Sequence, residues 1–381
     1  MKKADLDNIQ HTVFNEAVSE TALDIDAQIV GLTREAALQL PVAMRLRWFY
    51  LRQIKHAKLL QVYRDLSELL EPTNDVTILS LVGMTGIGKT TLAQQIVPRL
   101  IERYGDVPDN EIPVIYVKVP ANGDRATSWK ALYQRMFTGA REILGNKRIV
   151  LDKETEKQLR YTTNKRASLT NLREVLEPLF ENRKVRVLIL DEAAHLARFQ
   201  DYAATMDTLK SLSDIGNIKI LLIGSYDIVE LVSDYGQVTR RGEVVHYRRY
   251  AVAPKPDEGK EGTVDQRQFQ DVLAAFEAVW PSHNVPNLQA LWHEWMHQCL
   301  GSVGLLKLSL LRLAALQLHA KGEQLNVGML KKIFKTPKAL QQLEREAAEG
   351  ENELVGRCYG DCGFDAEKLA FLHQMMNQKG A

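Results

Sequence analysis

Cysteine is scarce in this chain: Cys299, Cys358 and Cys362 are the only three in 381 residues. They are too few and too late in the sequence to build a disulfide framework. The run "CYGDC" brings two thiols together, but a zinc site takes about four ligands and no second pair exists. Free thiols are therefore expected, with a metal or redox pair as the alternative. Long uncharged apolar runs are missing too, so no segment reads as a membrane span. The opening "MKKADLDNIQHTVFNEAVSE" lacks the apolar core of a secretory signal, and a cytoplasmic location is expected. Nor is there an excess of charge: 49 Lys and Arg against 48 Asp and Glu leave a formal net of +1. Any contact with nucleic acid would have to come from a local basic surface.

What the chain does have is length and apolar content for real cores, in one large or two to three ordinary domains. Residues 1 to about 30 are polar and weakly patterned, an arm for a partner to order. The stretch from Pro41 to Pro72 repeats Leu59, Val62, Leu66 and Leu69 at helical spacing, which predicts one long helix closing an N-terminal region 1–72. On it Arg45, Arg52, Lys55 and Lys58 recur among Trp48, Phe49 and Tyr50, a face suited to DNA or, more commonly, to half-buried support of a neighbouring domain. Over 73–253, four β-branched runs, "VTILSLV", "IPVIYVKV", "VRVLIL" and "IKILLIG", alternate with helix-like segments. This order predicts an α/β domain whose parallel sheet is flanked by helices on both faces. The polar "KPDEGKEGTVDQ" reads as a linker into an all-helical unit, 264–340, with four amphipathic runs. A tail, 341–381, opens with the helix-prone "LQQLEREAAEGENEL".

The most informative stretch is "GMTGIGKTTLAQ", Gly83 to Gln94. It matches G-x-x-x-x-G-K-[ST] and sits between a predicted strand and a predicted helix. Glycines let successive N–H groups and the helix N-terminus face phosphates. Gly83, Met84, Thr85, Gly86, Ile87, Gly88, Lys89, Thr90 and Thr91 are thus expected to cradle ATP, Lys89 reaching the β and γ phosphates and the Thr90 hydroxyl binding Mg²⁺. A chance glycine turn is the alternative. The strand "VRVLIL" ends in Asp191 and Glu192, which the carboxyl edge of a parallel sheet brings beside the loop. There Asp191 suits magnesium and Glu192 suits a polarised water, whereas elsewhere such acids are mere helix caps. Ser225 ends the next strand and is either a partner for water or γ-phosphate, or a turn serine.

Taken alone, "GMTGIGKTTLAQ" looks most like the P-loop of NB-ARC signalling ATPases. That family usually carries two aspartates at the acidic motif and a later Gly-Leu-Pro-Leu turn; this chain has Asp191-Glu192 and no such turn. The order of P-loop, Asp-Glu pair, small polar strand end, late arginine pair and helical lid resembles instead an AAA+ ATPase. Three stretches, "VIYVKVPANGDRATSWKALYQRMF", "LLIGSYDIVELVSDYGQVTRRGEVVHYRRY" and "GSVGLLKLSLLRLAAL", resemble the TnsC and TniB transposition regulators, relatives of MuB and IstB. The resemblance implies an AAA+ base, a C-terminal helical lid and an N-terminal helical extension. It implies Mg-dependent hydrolysis of ATP shared between subunits of a ring or filament, with Arg240 or Arg241 of a neighbour completing the site. The lid's usual arginine after the glycine turn is replaced: Leu305 follows Gly304, and Lys307 is the nearest substitute. Asp191 lies 102 residues beyond Lys89 (191 − 89), so an insertion is expected at about 139–170. That insertion is basic through Lys147, Arg148, Arg160, Lys165 and Arg166. In TnsC-like proteins the matching region tracks double-stranded DNA through its phosphates, independently of sequence; a solvated loop is the bland alternative. The partners so implied are duplex DNA, further copies of the chain, and the transposase and target-selection proteins of a transposon. The rival readings are a helicase loader of the IstB and DnaC type, a STAND-type signalling switch, and a protein for which ATP is only a structural ligand.

Overall fold

A computed structural model describes residues 26–105, 107–108, 110–121, 129–146, 169–198, 202–229, 242–254, 262–320 and 324–358. Five strands, β1 (Ile78–Val82), β2 (Val114–Lys118), β3 (Val187–Asp191), β4 (Lys219–Gly224) and β5 (Gly242–His246), form one parallel sheet in the order β2-β3-β4-β1-β5. Every residue of β1, β3 and β4 is buried, as continuous apolar runs between two helical layers require. Four strands coincide with the expected runs. The fifth, "GEVVH", carries no such signal in the sequence because it is a short edge strand with only Val245 buried.

Helices α1 (Arg34–Leu38), α2 (Val42–Leu51) and α3 (Ala57–Leu69) precede the sheet; α4 (Lys89–Arg103), α5 (Trp129–Asn146), α6 (Leu169–Asn182) and α7 (Tyr202–Asp214) connect the first four strands. The helix α6 shows why they pack: Leu172, Leu176, Leu179 and Phe180 make one buried stripe. Buried Lys219, at the start of β4, donates to the carbonyls of Leu69, Asn74 and Val76 at 3.1, 3.0 and 2.7 Å. It thereby caps the open end of α3 and ties it to the sheet.

The single long helix expected from Pro41 to Pro72 is corrected: it is broken between Leu51 and Ala57. Its halves belong to different cores. Val62, Leu66 and Leu70 join the core around the sheet, whereas Leu46, Trp48 and Phe49 join the core of the C-terminal helices α8 (Val264–Ala278), α9 (Trp292–Gln298), α10 (Val303–His319) and α11 (Val327–Ile333). Phe49 meets Phe276 and Trp280 edge-on, with ring centroids 6.1 and 5.4 Å apart. Trp280 donates its indole N–H to buried Gln317 at 2.7 Å. Two residues of the expected basic face are spent inside the molecule: the Arg52 guanidinium lies over Trp48 and bonds the Leu32 carbonyl, and Lys58 pairs with Asp265 at 2.8 Å.

The boundary expected at residue 340 is crossed by one helix, α12 (Pro337–Cys358). It returns to the α/β unit, where Ala347 and Leu354 enter the sheet's core and Glu351 accepts two hydrogen bonds from Arg249 at 2.8 and 2.9 Å.

His56 holds the break together. As the N-cap of α3 its Nδ1 accepts from Leu59 N at 3.4 Å and faces Tyr250 OH at 3.2 Å, which leaves the proton on Nε2, 3.4 Å from Tyr247 OH. Burial lowers its proton affinity from the ordinary 6.5 to about 4. Between these values the unfolded chain takes up a proton that the folded chain refuses, so this contribution is whole above pH 6.5 and is lost as pH falls towards 4. His56 alone should cost about 2 kcal/mol between pH 7 and pH 5. In urea titrations at the two pH values, His56→Gln is expected to be less stable at pH 7 and to lose less on acidification than wild type.

Candidate nucleotide site

β1 ends at Val82 and α4 begins at Lys89, with Gly88 as its N-cap. The connecting loop needs left-handed backbone at Gly86, φ +80°, and Gly88, φ +113°, which only glycine adopts cheaply. It folds so that the free N–H groups opening α4 face a cavity of about 410 Å³. Thr85, Gly86, Gly88, Lys89, Thr90 and Thr91 line it, while Met84 and Ile87 are turned into the core. Gly83 lies against strand-end residue Tyr247: a Cβ there would come 2.7 Å from its carbonyl oxygen.

Sheet order decides what faces the loop. β4 stands between β1 and β3, so its end brings Ser225 to the cavity, and the end of β3 brings Asp191 and Glu192 to the same wall. Lys89 Nζ donates to the loop's own carbonyls, Gly83 at 2.7 Å and Met84 at 3.0 Å. Burial pulls its ammonium down to about 8, against the opposing pull of Glu192, Asp191 and Asp227. Asp191 is only 2% exposed, and both its oxygens have a donor: Tyr116 OH on Oδ2 at 2.6 Å and Glu192 N on Oδ1 at 2.8 Å. Glu192 itself has φ +57°, an uncommon backbone for a residue with a side chain. Its carboxylate is half exposed and 3.5 Å from Lys118 Nζ, a pair that solvent screens heavily. Ser225 Oγ donates to Asp227 at 3.0 Å.

Two further lining residues were not foreseen. Tyr50, in the last turn of α2, and Gln53, in the break that follows, line the cavity together with Leu308 and Leu311 of α10. Lys307, the expected lid contact, lines the cavity beside Tyr50: its Nζ donates to the Arg52 carbonyl at 2.8 Å and lies 5.3 Å from the Tyr50 ring centre, and burial lowers it to about 8. No local motif announces Tyr50 or Gln53, because the cavity gathers them across more than two hundred residues of sequence. Gly304 stands at the glycine turn that the resemblance marked, and a Cβ there would meet the Gly86 carbonyl oxygen.

Arg240 and Arg241 lie outside the described residues, as do Lys147, Arg148, Arg160, Lys165, Arg166 and Cys362. Cys299 is a buried free thiol, pushed up to about 12 by burial. Among the described residues no three His, Cys, Asp or Glu side chains cluster as a metal site. Among them, too, no single helix is long and apolar enough to cross a membrane.

The helix α10 docks hard on the phosphate-loop backbone. Ser302, its N-cap, donates to the Gly86 carbonyl at 3.3 Å, and a Cβ on Gly304 would overlap that same oxygen. Alanine normally improves a helix interior over glycine by about 1 kcal/mol. Gly304→Ala should do the reverse, lowering stability by about 1–3 kcal/mol because the helix must lift off the loop, and urea unfolding measures the sign directly.

Residues 73–232 match the family model described as an AAA domain. No curated protein matches the chain in sequence. Among solved structures, it is similar to the Walker-type ATPase of Pyrococcus abyssi, at 17% identity and TM-score 0.44, over 78% of this chain and 75% of that one. It is also similar to the ORC2 protein of Aeropyrum pernix in its ADPNP–ADP complexes, at 13% identity and TM-score 0.49, over 84% of each chain. The Drosophila ORC bound to DNA is similar at 12% identity and TM-score 0.44, over 96% of this chain and 85% of that one. A parallel sheet in the order β2-β3-β4-β1-β5, a phosphate loop after β1 and the match over residues 73–232 give this chain an AAA domain with the P-loop fold.

Proposed function

We propose that the protein is an ATP-dependent regulator of DNA transposition, which assembles on target duplex with ATP, engages a transposase, and comes apart on hydrolysis. One observation carries the ATPase half: Lys89, Thr90, Asp191, Glu192 and Ser225, drawn from three strand ends, surround a single cavity. The transposition half rests on the three stretches that resemble TnsC and TniB and on the basic run between Lys147 and Arg166.

The donor set suits Mg²⁺. The Thr90 hydroxyl and the Asp191 carboxylate are hard oxygens, and magnesium takes only one or two such protein ligands beside phosphate and water. When bound, it offsets charge on the β and γ phosphate oxygens. Lys89 exchanges the carbonyls of Gly83 and Met84 for phosphate oxygens, a stronger charge-assisted partner. The opening turn of α4 supplies N–H donors to the same groups. Glu192 orients the water that attacks the γ-phosphorus and accepts its proton as ADP leaves, with Ser225 hydrogen-bonding the water or the γ-phosphate. Arg240 or Arg241 of a neighbouring copy compensates the charge that develops there, which makes hydrolysis depend on assembly. Lys307 sits at the Tyr50 end, and in this reading it steadies the nucleotide's outer portion rather than its γ-phosphate. Lys147, Arg148, Arg160, Lys165 and Arg166 grip DNA phosphates, so binding falls steeply with salt.

In sedimentation with duplex DNA, Lys89→Ala should lose ATP-dependent assembly while Glu192→Gln, with hydrolysis slowed by about a hundredfold or more, should accumulate it. Equal DNA binding by the wild type with and without ATP would overturn the mechanism.

A further inference from the structure

The acidic pair at the end of β3 is held from the neighbouring strand. In the parallel register Tyr116 pairs with Ile189 and Lys118 with Asp191, so Tyr116 is the diagonal neighbour of Asp191 on the same face of the sheet. A diagonal neighbour is beyond the reach of a short side chain but within that of an aromatic one. The phenol spans the gap and donates to Asp191 Oδ2 at 2.6 Å, a short, charge-assisted bond. Glu192 N holds Oδ1 at 2.8 Å from the other side. A carboxylate has about four lone-pair positions, so one remains on each oxygen for the cavity. With one donor on each oxygen, the side chain has lost the freedom to rotate about its terminal bond.

We propose that Tyr116 is a positioning residue for nucleotide-bound magnesium: its hydroxyl sets the plane of the Asp191 carboxylate so that the free lone pairs face the metal and its waters. This rests on Asp191 serving the metal. Tyr116 itself touches neither nucleotide nor metal. Partners of this kind are worth about 10–100-fold in metal affinity elsewhere.

The test is calorimetric titration of the full chain with ADP, in EDTA and in Mg²⁺, so that the metal-dependent gain in affinity is read without turnover. Tyr116→Phe keeps the ring and should lose about tenfold of that gain, with ADP affinity in EDTA near wild type and a melting temperature lowered by a few degrees at most, about what one lost hydrogen bond costs. In steady-state assays it should lower kcat with KM for ATP little changed. An unchanged gain, or an equal loss of ADP affinity in EDTA, would overturn the proposal. Asp191→Asn separates the two levels. If it abolishes the gain while Tyr116→Phe keeps it, only the role of Tyr116 falls; if Asp191→Asn also keeps it, the reading of Asp191 as a metal ligand falls and takes this proposal with it.

Discussion

The carboxyl edge of one parallel sheet is the constraint on which the site depends. In a parallel sheet every strand ends on the same side, so the residues just past each strand are delivered to one line without any further device. Here that line receives the phosphate loop from β1, Ser225 from β4 and Asp191 with Glu192 from β3. The burial of β1, β3 and β4 makes the line rigid: sliding one strand by a single residue would turn its apolar side chains to the other face of the sheet. The same rigidity lets a phenol on β2 reach an acid on β3 with hydrogen-bond accuracy.

Around this edge the site stores its polar groups in a paired state. Lys89 rests on two loop carbonyls, Asp191 on a phenol and an amide, Ser225 on Asp227, and Lys307 on the Arg52 carbonyl. An unpaired buried charge would be costly, so the partners of Lys89, Asp191 and Lys307 stabilise the lining of the cavity. Burial draws Lys89 and Lys307 both down to about 8, although at Lys89 the nearby Glu192, Asp191 and Asp227 pull the other way.

A second core binds the cavity's remaining walls. Phe49, Phe276 and Trp280 lock α2 to the C-terminal helices, and α10 in turn presses Gly304 onto Gly86. The break at His56 is where these two bodies meet, since His56 contacts both Tyr247, beside the phosphate loop, and Tyr250, beside the second core. Tyr50, in the last turn of α2, and Gln53, just past its end, reach the cavity from this break. A continuous helix could satisfy one core but not two.

Much of this was legible in the residues alone. Four strands were visible because their runs are mainly aliphatic and β-branched, with only one or two polar positions each to blur them. The phosphate loop was visible because its glycines answer a backbone requirement, φ at Gly86 and Gly88, that is local by nature. Asp191 and Glu192 were visible because they end such a strand. Features that depend on partners distant in sequence were not legible: the break after Leu51, the edge strand from Gly242 to His246, the return of α12 to the sheet, and the bond from Tyr116 to Asp191. Periodicity predicts that a helix has an apolar face, but not which of two cores will bury it. Chemistry within reach of a few peptide units was determined by the sequence; the meeting of Tyr50, Asp191 and Leu308 in one cavity was decided by tertiary packing, because only the folded sheet and helices set those distances.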